Sequence, residues 1–359
     1  MGRRQITLTV ALAVTVILAV LAFVLPVPYV VQEPGPVFDT LGTVGANGPT
    51  VVQISKAKTY DSGGHIYMTT VEDVPGDCNS HPLLSTAVKA WFDRNDSVVP
   101  VQAECSPTQT SGDVVLTDES DMAESQINAE VAALTTLGYH VIGHEVIVAG
   151  VDPDYPAARY LKPEDVISSI DGSKITRPQQ VITAIRSRPV GSKLAFDFTR
   201  HGKPLHATIT SVAAPTSNGG TDAKVPFVGF TPSPRPLFNG VSVTIGINPE
   251  DVGGPSAGTA LALGIIDKLT PGGLIGHRTI AGTGTITRSG KIGPIGGIQQ
   301  KVSAAAAHHV SVFFAPTENC PDAKSQAPSS MTLIKAETLA EVVQAFKDIN
   351  AGRSDFPHC

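Results

Sequence analysis

The sequence predicts an α+β multidomain protein that begins with a transmembrane helix. Three observations carry this: an uncharged apolar stretch at the N-terminus, strand-like runs punctuated by turn residues through the middle, and alternating strand and helix patterns in the last third. The 359 residues suffice for roughly two or three domains. Glycine (34) and proline (28) are plentiful, in keeping with many strands and turns. The net charge is −6 and no basic block follows Arg3-Arg4, so nucleic acid is not an expected partner.

From Ile6 to Val31 there is no charged residue, and Ile6 to Leu25 is almost wholly apolar. About 20 such residues cross a bilayer as a helix. Arg3 and Arg4 precede the stretch, so the positive-inside tendency leaves the N-terminus in the cytoplasm and everything after the helix outside, as a single-pass cell-membrane protein. A cleaved signal peptide is the rival reading, but its cleavage motif, Val20-Leu21-Ala22, lies within the apolar run rather than after it. Both readings export the remainder. Four cysteines, Cys78, Cys105, Cys320 and Cys359, agree with export, and none has C-x-x-C spacing. Of the three possible pairings, Cys78–Cys105 and Cys320–Cys359 is the local choice, each bridge contributing roughly 3–4 kcal/mol in the chain-entropy model.

Glu33-Pro34-Gly35-Pro36 breaks any helix. Strand patterns follow at Val51–Ile54 and His65–Val71, and apolar residues at helical spacing include Leu84, Ala87, Val88 and Trp91, then Ile127, Val131 and Leu134. Next come Val146-Ile147-Val148, the turn pair Asp171-Gly172, a short helix opened by Arg177-Pro178, a strand from Lys193 to Arg200, a turn at His201-Gly202 and a last strand near Ala207 to Val212. Ala214 to Thr221 is polar and turn-forming. The expected division is a cytoplasmic stub and anchor at 1–32, an α/β N-terminal extracytoplasmic region at 33–136, a β-rich unit at 137–214, a linker at 215–224, an α+β domain at 225–350 and a tail at 351–359.

The chemistry concentrates in two segments. Gly254-Pro255-Ser256-Ala257-Gly258 places a serine between small residues where a strand hands over to a helix expected from Ser256 to Leu269. Unpaired N–H groups in such a first turn are suited to a developing oxyanion, and Gly253 and Gly254 leave room for a carbonyl. Ile295-Gly296-Gly297-Ile298-Gln299-Gln300-Lys301 places a lysine inside an alanine-rich helix. A lysine takes a proton only when neutral, and burial among Ile298, Val302, Ala304 and Ala305 would lower its pKa to roughly 7–8. The bland alternatives are a serine that caps its helix and a lysine on a solvated face.

Leu161 to Gly172 resembles the core of a bacterial PDZ domain, with Glu164 where glycine is common. Such domains add a peptide end as a strand beside a sheet edge. Leu137-Gly138-Tyr139 is the candidate loop for the peptide carboxylate, and its alternative role is a helix stop at Gly138. Residues 248–316, with the serine and lysine segments and Thr283-Gly284-Thr285-Ile286-Thr287 between them, resemble the proteolytic domain of Lon proteases. With the anchor and the PDZ-like unit, the chain resembles the membrane-anchored, PDZ-containing Lon-like serine proteases of bacteria. The resemblance implies Ser256 as nucleophile, Lys301 as general base, Thr283 as the hydroxyl that orients the amine, polypeptide substrates, a bilayer contact through the N-terminal helix and a homo-hexamer. Gly253 departs from cytoplasmic Lon, where an acidic residue is common. No G-x-x-x-x-G-K-(S/T) loop occurs, so cleavage without ATP is expected, and no cofactor or metal is called for.

Two rival readings remain at this level. Gly254-x-Ser256-x-Gly258 also fits a nucleophile elbow, with Asp267 and His277 or Asp322 and His358 as partners. An anchored PDZ scaffold with an inert Lon-like domain is the other. Ser55-x-x-Lys58 follows a β-branched run rather than opening a helix, and His140 and His144 flank a strand pattern, so neither reads as a site.

Overall fold

The computed structural model describes residues 2–75, 80–104, 111–215 and 221–359. Cys78 and Cys105 lie outside the described residues. The N-terminal helix runs over Arg3–Val24, and none of its residues is buried. Its 22 residues span about 33 Å at the α-helical rise, long and apolar enough to cross a bilayer.

A six-stranded sheet organises the main body. Its order is Thr332–Ala336, Val312–Pro316, Thr279–Gly282, His65–Val74, Tyr29–Asp39 and Ser97–Pro100. The first four strands run parallel, and the last two are antiparallel to their neighbours. Inner parallel strands are covered on both faces, which is why Val312–Pro316 is apolar and buried at every position. Segments that the sequence reading divided between 33–136 and 225–350 therefore share one sheet, with Ala281 paired to Tyr67 on one side and Phe313 on the other. They also share one core, in which Ile66 and Met68 pack with Leu261, Ile265, Phe314 and Phe346. The long helix Ser111–Thr136 belongs to this body, burying Met122, Ile127, Ala133 and Leu134 in the same core. A disulfide joins Cys320 to Cys359 and ties the C-terminus to the helix Cys320–Gln326.

Between the long helix and the strand Ser242–Ile245 the chain builds a second sheet, in the order Phe230–Phe238, Val141–Val151, Val166–Ile170, Lys193–Arg200 and Lys203–Thr210. The helix Pro178–Arg186 covers it, and Val146, Val148, Leu161, Ile167, Val181, Phe196 and Phe230 form a separate core. The expected linker is instead a hairpin: Val212–Pro215 pairs with Thr221–Phe227. The chain then returns as Phe230–Phe238 along Val141–Val151, so this unit runs past the expected boundary at 214 to Phe238. Pro232, Pro234 and Pro236 hide that strand from a pattern search, because proline cannot donate to a ladder. They are accommodated because the strand is an edge, where missing donors also discourage further pairing.

Glu164, the departure from the PDZ pattern, adopts φ +70° in the left-handed region where glycine is usual. Its carboxylate lies 2.6 Å from Arg235, which also pairs with Glu145 at 2.7 Å. Glu130 of the long helix faces the same guanidinium, and burial pushes its pKa up to about 8 against the pull of Arg235. Burial likewise raises Glu164, again opposed by Arg235. Arg235 thus pairs with two carboxylates of its own sheet unit, and its charge reaches Glu130 on the long helix. Arg235→Ala leaves these carboxylates without a cation, and the expected cost is about 2 kcal/mol of unfolding free energy. Raised carboxylate pKa values mean that the folded state resists ionisation, so this cost grows with pH. Denaturant unfolding at pH 5 and pH 8 checks both sign and size; a loss no greater at pH 8 contradicts the account.

Candidate active site

Ser256 sits in a single 3-10 turn, Pro255–Ala257, that leads directly into the helix Gly258–Leu269. The helix therefore starts slightly later than its sequence pattern implies. Neither helical segment has a side-chain cap, so the hydroxyl is not spent in the way that the bland alternative requires. Gly254 holds φ +81° and ψ 162°, a conformation open essentially to glycine alone, and it turns the chain into the serine. The approach is pinned from the long helix. The Gly254 N–H donates to the Asp118 carbonyl at 3.0 Å, and Ser125 Oγ donates to the Pro255 carbonyl at 2.9 Å.

Lys301 lies in the first turn of the helix Ile298–Ala307, whose N-cap Gly297 is left-handed at φ +62°. A side chain at Gly297 would also strike Val71, with a Cβ placed 2.4 Å from its Cγ2. Asn319 holds the loop before this helix by accepting from the Ile295 N–H and donating to the Ile295 carbonyl. Lys301 is 4% exposed, and burial lowers its pKa to about 8.

The two side chains meet. Lys301 Nζ is 2.6 Å from Ser256 Oγ and 3.4 Å from Thr283 Oγ1. Thr283 Oγ1 donates its proton to the Ser256 carbonyl at 3.0 Å, so a lone pair is what it turns toward the amine. A neutral amine placed this way donates to Thr283 and aims its own lone pair at the serine hydroxyl. The arrangement can remove the hydroxyl proton without a histidine or metal. Asp267 is instead structural, its Oδ1 accepting from the N–H groups of Leu274 and Ile275.

The pair opens into a cleft of about 700 Å³. One wall is the strand segment Met68–Asp73, and Met122, Asp251–Ala257 and Pro294–Gly296 supply the others. No histidine is among the described lining residues, which removes support for the elbow reading. Asp118 was not singled out from sequence, yet a Cβ on Gly253 would lie 2.7 Å from its Cβ and 3.2 Å from its Cγ. A carboxylate from the long helix thus stands beside the position where cytoplasmic Lon commonly carries its own. No sequence signal links residues so far apart in the chain.

Residues 239–347 match the Lon protease (S16) C-terminal proteolytic domain, and residues 111–210 match the PDZ domain. The C-terminal domain is Lon-like. Similar proteins include the Lon protease of Rickettsia conorii, 34% identical over 112 residues, which make up 31% of this chain and 14% of that protein. Another is the Lon protease of Azorhizobium caulinodans, 42% identical over 82 residues, or 23% of this chain and 9% of that one. The chain thus spans about one seventh or less of the length of these relatives. Among solved structures, the PDZ domain of the SdrC-like protein from Listeria monocytogenes is 30% identical, covering 25% of this chain and 85% of that one at a TM-score of 0.21.

Leu137-Gly138-Tyr139, the sequence candidate for the carboxylate loop, closes the helix Ser111–Thr136. Gly138 has φ +84°, and the Gly138 and Tyr139 N–H groups donate to Thr135 and Leu134, which is a helix stop. Leu137 and Tyr139 pack against the main core. A groove of about 210 Å³ lies elsewhere, between the helix Pro178–Arg186 and Pro226–Pro232, with Val181, Ile185, Phe227 and Phe230 in its walls. Val228 and Phe230, on either side of Gly229, both line this groove.

The Lys301 amine should be half deprotonated at about pH 8. Its acylation rate as a function of pH, followed by peptide mass mapping against exposed lysines of the same chain, reads this directly. A midpoint above about 10, the unperturbed range, would show the amine to be solvated and the pair broken.

Proposed function

We propose that this chain is a membrane-anchored, ATP-independent serine endopeptidase that cleaves polypeptides outside the cytoplasm with a Ser256–Lys301 dyad. The observation that carries the proposal is the 2.6 Å contact between Ser256 Oγ and a buried amine. Neutral Lys301 takes the hydroxyl proton as Oγ attacks the scissile carbonyl carbon. The C–N bond then breaks as the lysine ammonium returns that proton to the leaving amine. Water, deprotonated by the same amine, releases the acyl group. First-turn amides at the serine supply the dipoles for the oxyanion.

We further propose one proteolytic domain made from residues 29–136 and 239–350, with the PDZ-like unit inserted between them. The PDZ-like unit would take peptide ends in the groove beside Pro178–Arg186. Arg3 and Arg4 ahead of the apolar helix support a cytoplasmic N-terminus, and the four cysteines support an exported body. A homo-hexamer rests on the likeness to Lon alone.

Full-length protein in detergent should degrade an unfolded casein-type substrate without ATP, while Ser256→Ala and Lys301→Ala each lose at least about 1,000-fold in kcat/KM. Because the base works only when deprotonated and its pKa is about 8, kcat/KM should rise with pH to a plateau with its midpoint near that value. Equal turnover by wild type and Ser256→Ala would leave an anchored PDZ scaffold instead. Thr283→Val should shift the midpoint or lower kcat while KM stays close to that of the wild type, since Thr283 orients the amine.

A further inference from the structure

The cleft beside Ser256 is lined by Glu72, Asp73, Glu104 and Asp251, and its single cationic side chain among the described lining residues is Lys301. Proton abstraction needs that lysine uncharged. At that moment the cleft presents four carboxylates and no positive charge, with Asp118 adding a fifth beside Gly253.

These carboxylates are crowded rather than scattered. The Gln32 side-chain amide donates to Asp73 at 3.2 Å and to Glu104 at 3.3 Å, drawing the two together. Burial raises the pKa of Glu104, and the charge of Asp73 raises it further. Burial also raises Asp118, followed by the charges of Asp121 and Asp73. Like charges held close are relieved by an incoming cation. No described carboxylate takes part in the Ser256–Lys301–Thr283 contacts, so these groups are left to line the cleft around the reacting pair.

A second feature of the same wall points to a bound chain. The strand His65–Val74 pairs with Thr279–Gly282 only as far as Met68, so along residues 69–73, which line the cleft, its described backbone pairing is with Tyr29–Asp39 on one side alone. An open strand edge is where an extended peptide adds its own backbone N–H and C=O groups.

We propose that this cleft selects extended polypeptide segments carrying arginine or lysine on residues that flank the cleaved bond, with Glu104 and Asp73 as the specificity-determining residues. The proposal rests on the reading of the cleft as a polypeptide site, and its test separates the two. The probes are two fluorescein-labelled peptides of the same sequence, one with arginines on both sides of a central apolar residue and one with citrulline, the neutral isostere, in their place. Binding to the full-length Ser256→Ala protein in neutral detergent is read by anisotropy, and cleavage by the wild type is read as kcat/KM.

The arginine peptide should bind on the order of tenfold more tightly, the worth of a few partly exposed ion pairs, and about 0.5 M salt should remove most of the difference. The double variant Glu104→Gln/Asp73→Asn should bring the ratio close to one. Equal binding of the two peptides overturns the proposal. So does a preference that survives undiminished in the double variant, which would place its source outside Glu104 and Asp73. Preferential binding without cleavage of either peptide supports the selectivity and sinks the Ser–Lys peptidase reading; cleavage of both at equal kcat/KM does the reverse.

Discussion

A lysine amine held out of water with no carboxylate to pair with it is unfavourable for folding, and the architecture around Lys301 exists to impose it. Lowering the pKa from 10.5 to about 8 corresponds to roughly 3 kcal/mol against the charged form. Between those two values the unfolded chain binds the proton that the folded chain has lost, so this contribution recovers as pH rises and is fully adverse below pH 8. The surrounding core must supply that free energy. It does so with the apolar strands Thr279–Gly282 and Val312–Pro316 beneath the lysine helix and with Ile298, Val302 and Ala305 on the helix itself. A carboxylate partner would have been a cheaper way to bury the amine, but it would have kept the proton on.

The long helix Ser111–Thr136 is the element that both parts of the molecule use. Toward the cleft it contributes the Asp118 carbonyl and Ser125, which hold the segment before Ser256. Toward the PDZ-like sheet, Glu119 accepts the Val151 N–H at 2.8 Å, and Gly150 packs so closely that a Cβ there would lie 2.6 Å from Ser120 Oγ. Glu130 lies within electrostatic reach of Arg235. A strand of the PDZ-like sheet and the turn that carries the serine thus rest on one helix.

Several features were legible because their signals are local. The apolar helix near the N-terminus announces itself through its own side chains. Ser256 and Lys301 each stand in a short segment whose glycines have backbone reasons to be there, and Asp171-Gly172 turns the chain with both residues at positive φ. Gly138 and Gly229 look alike in a sequence, and only their neighbours in space show that the first ends a helix while the second packs against Tyr155.

By itself the sequence determined the local chemistry: which hydroxyl and amine are framed for approach, where helices begin and stop, and which strands are apolar enough to be inner ones. Only the tertiary structure decided that the N-terminal strands complete the sheet of the C-terminal domain, that Asp118 stands over Gly253, and that Pro232, Pro234 and Pro236 lie on a sheet edge. The physical reason is that strand pairing and burial are satisfied by any complementary partner, however distant along the chain. A residue carries its own propensity in its side chain, but which partner it meets is settled by the whole core at once.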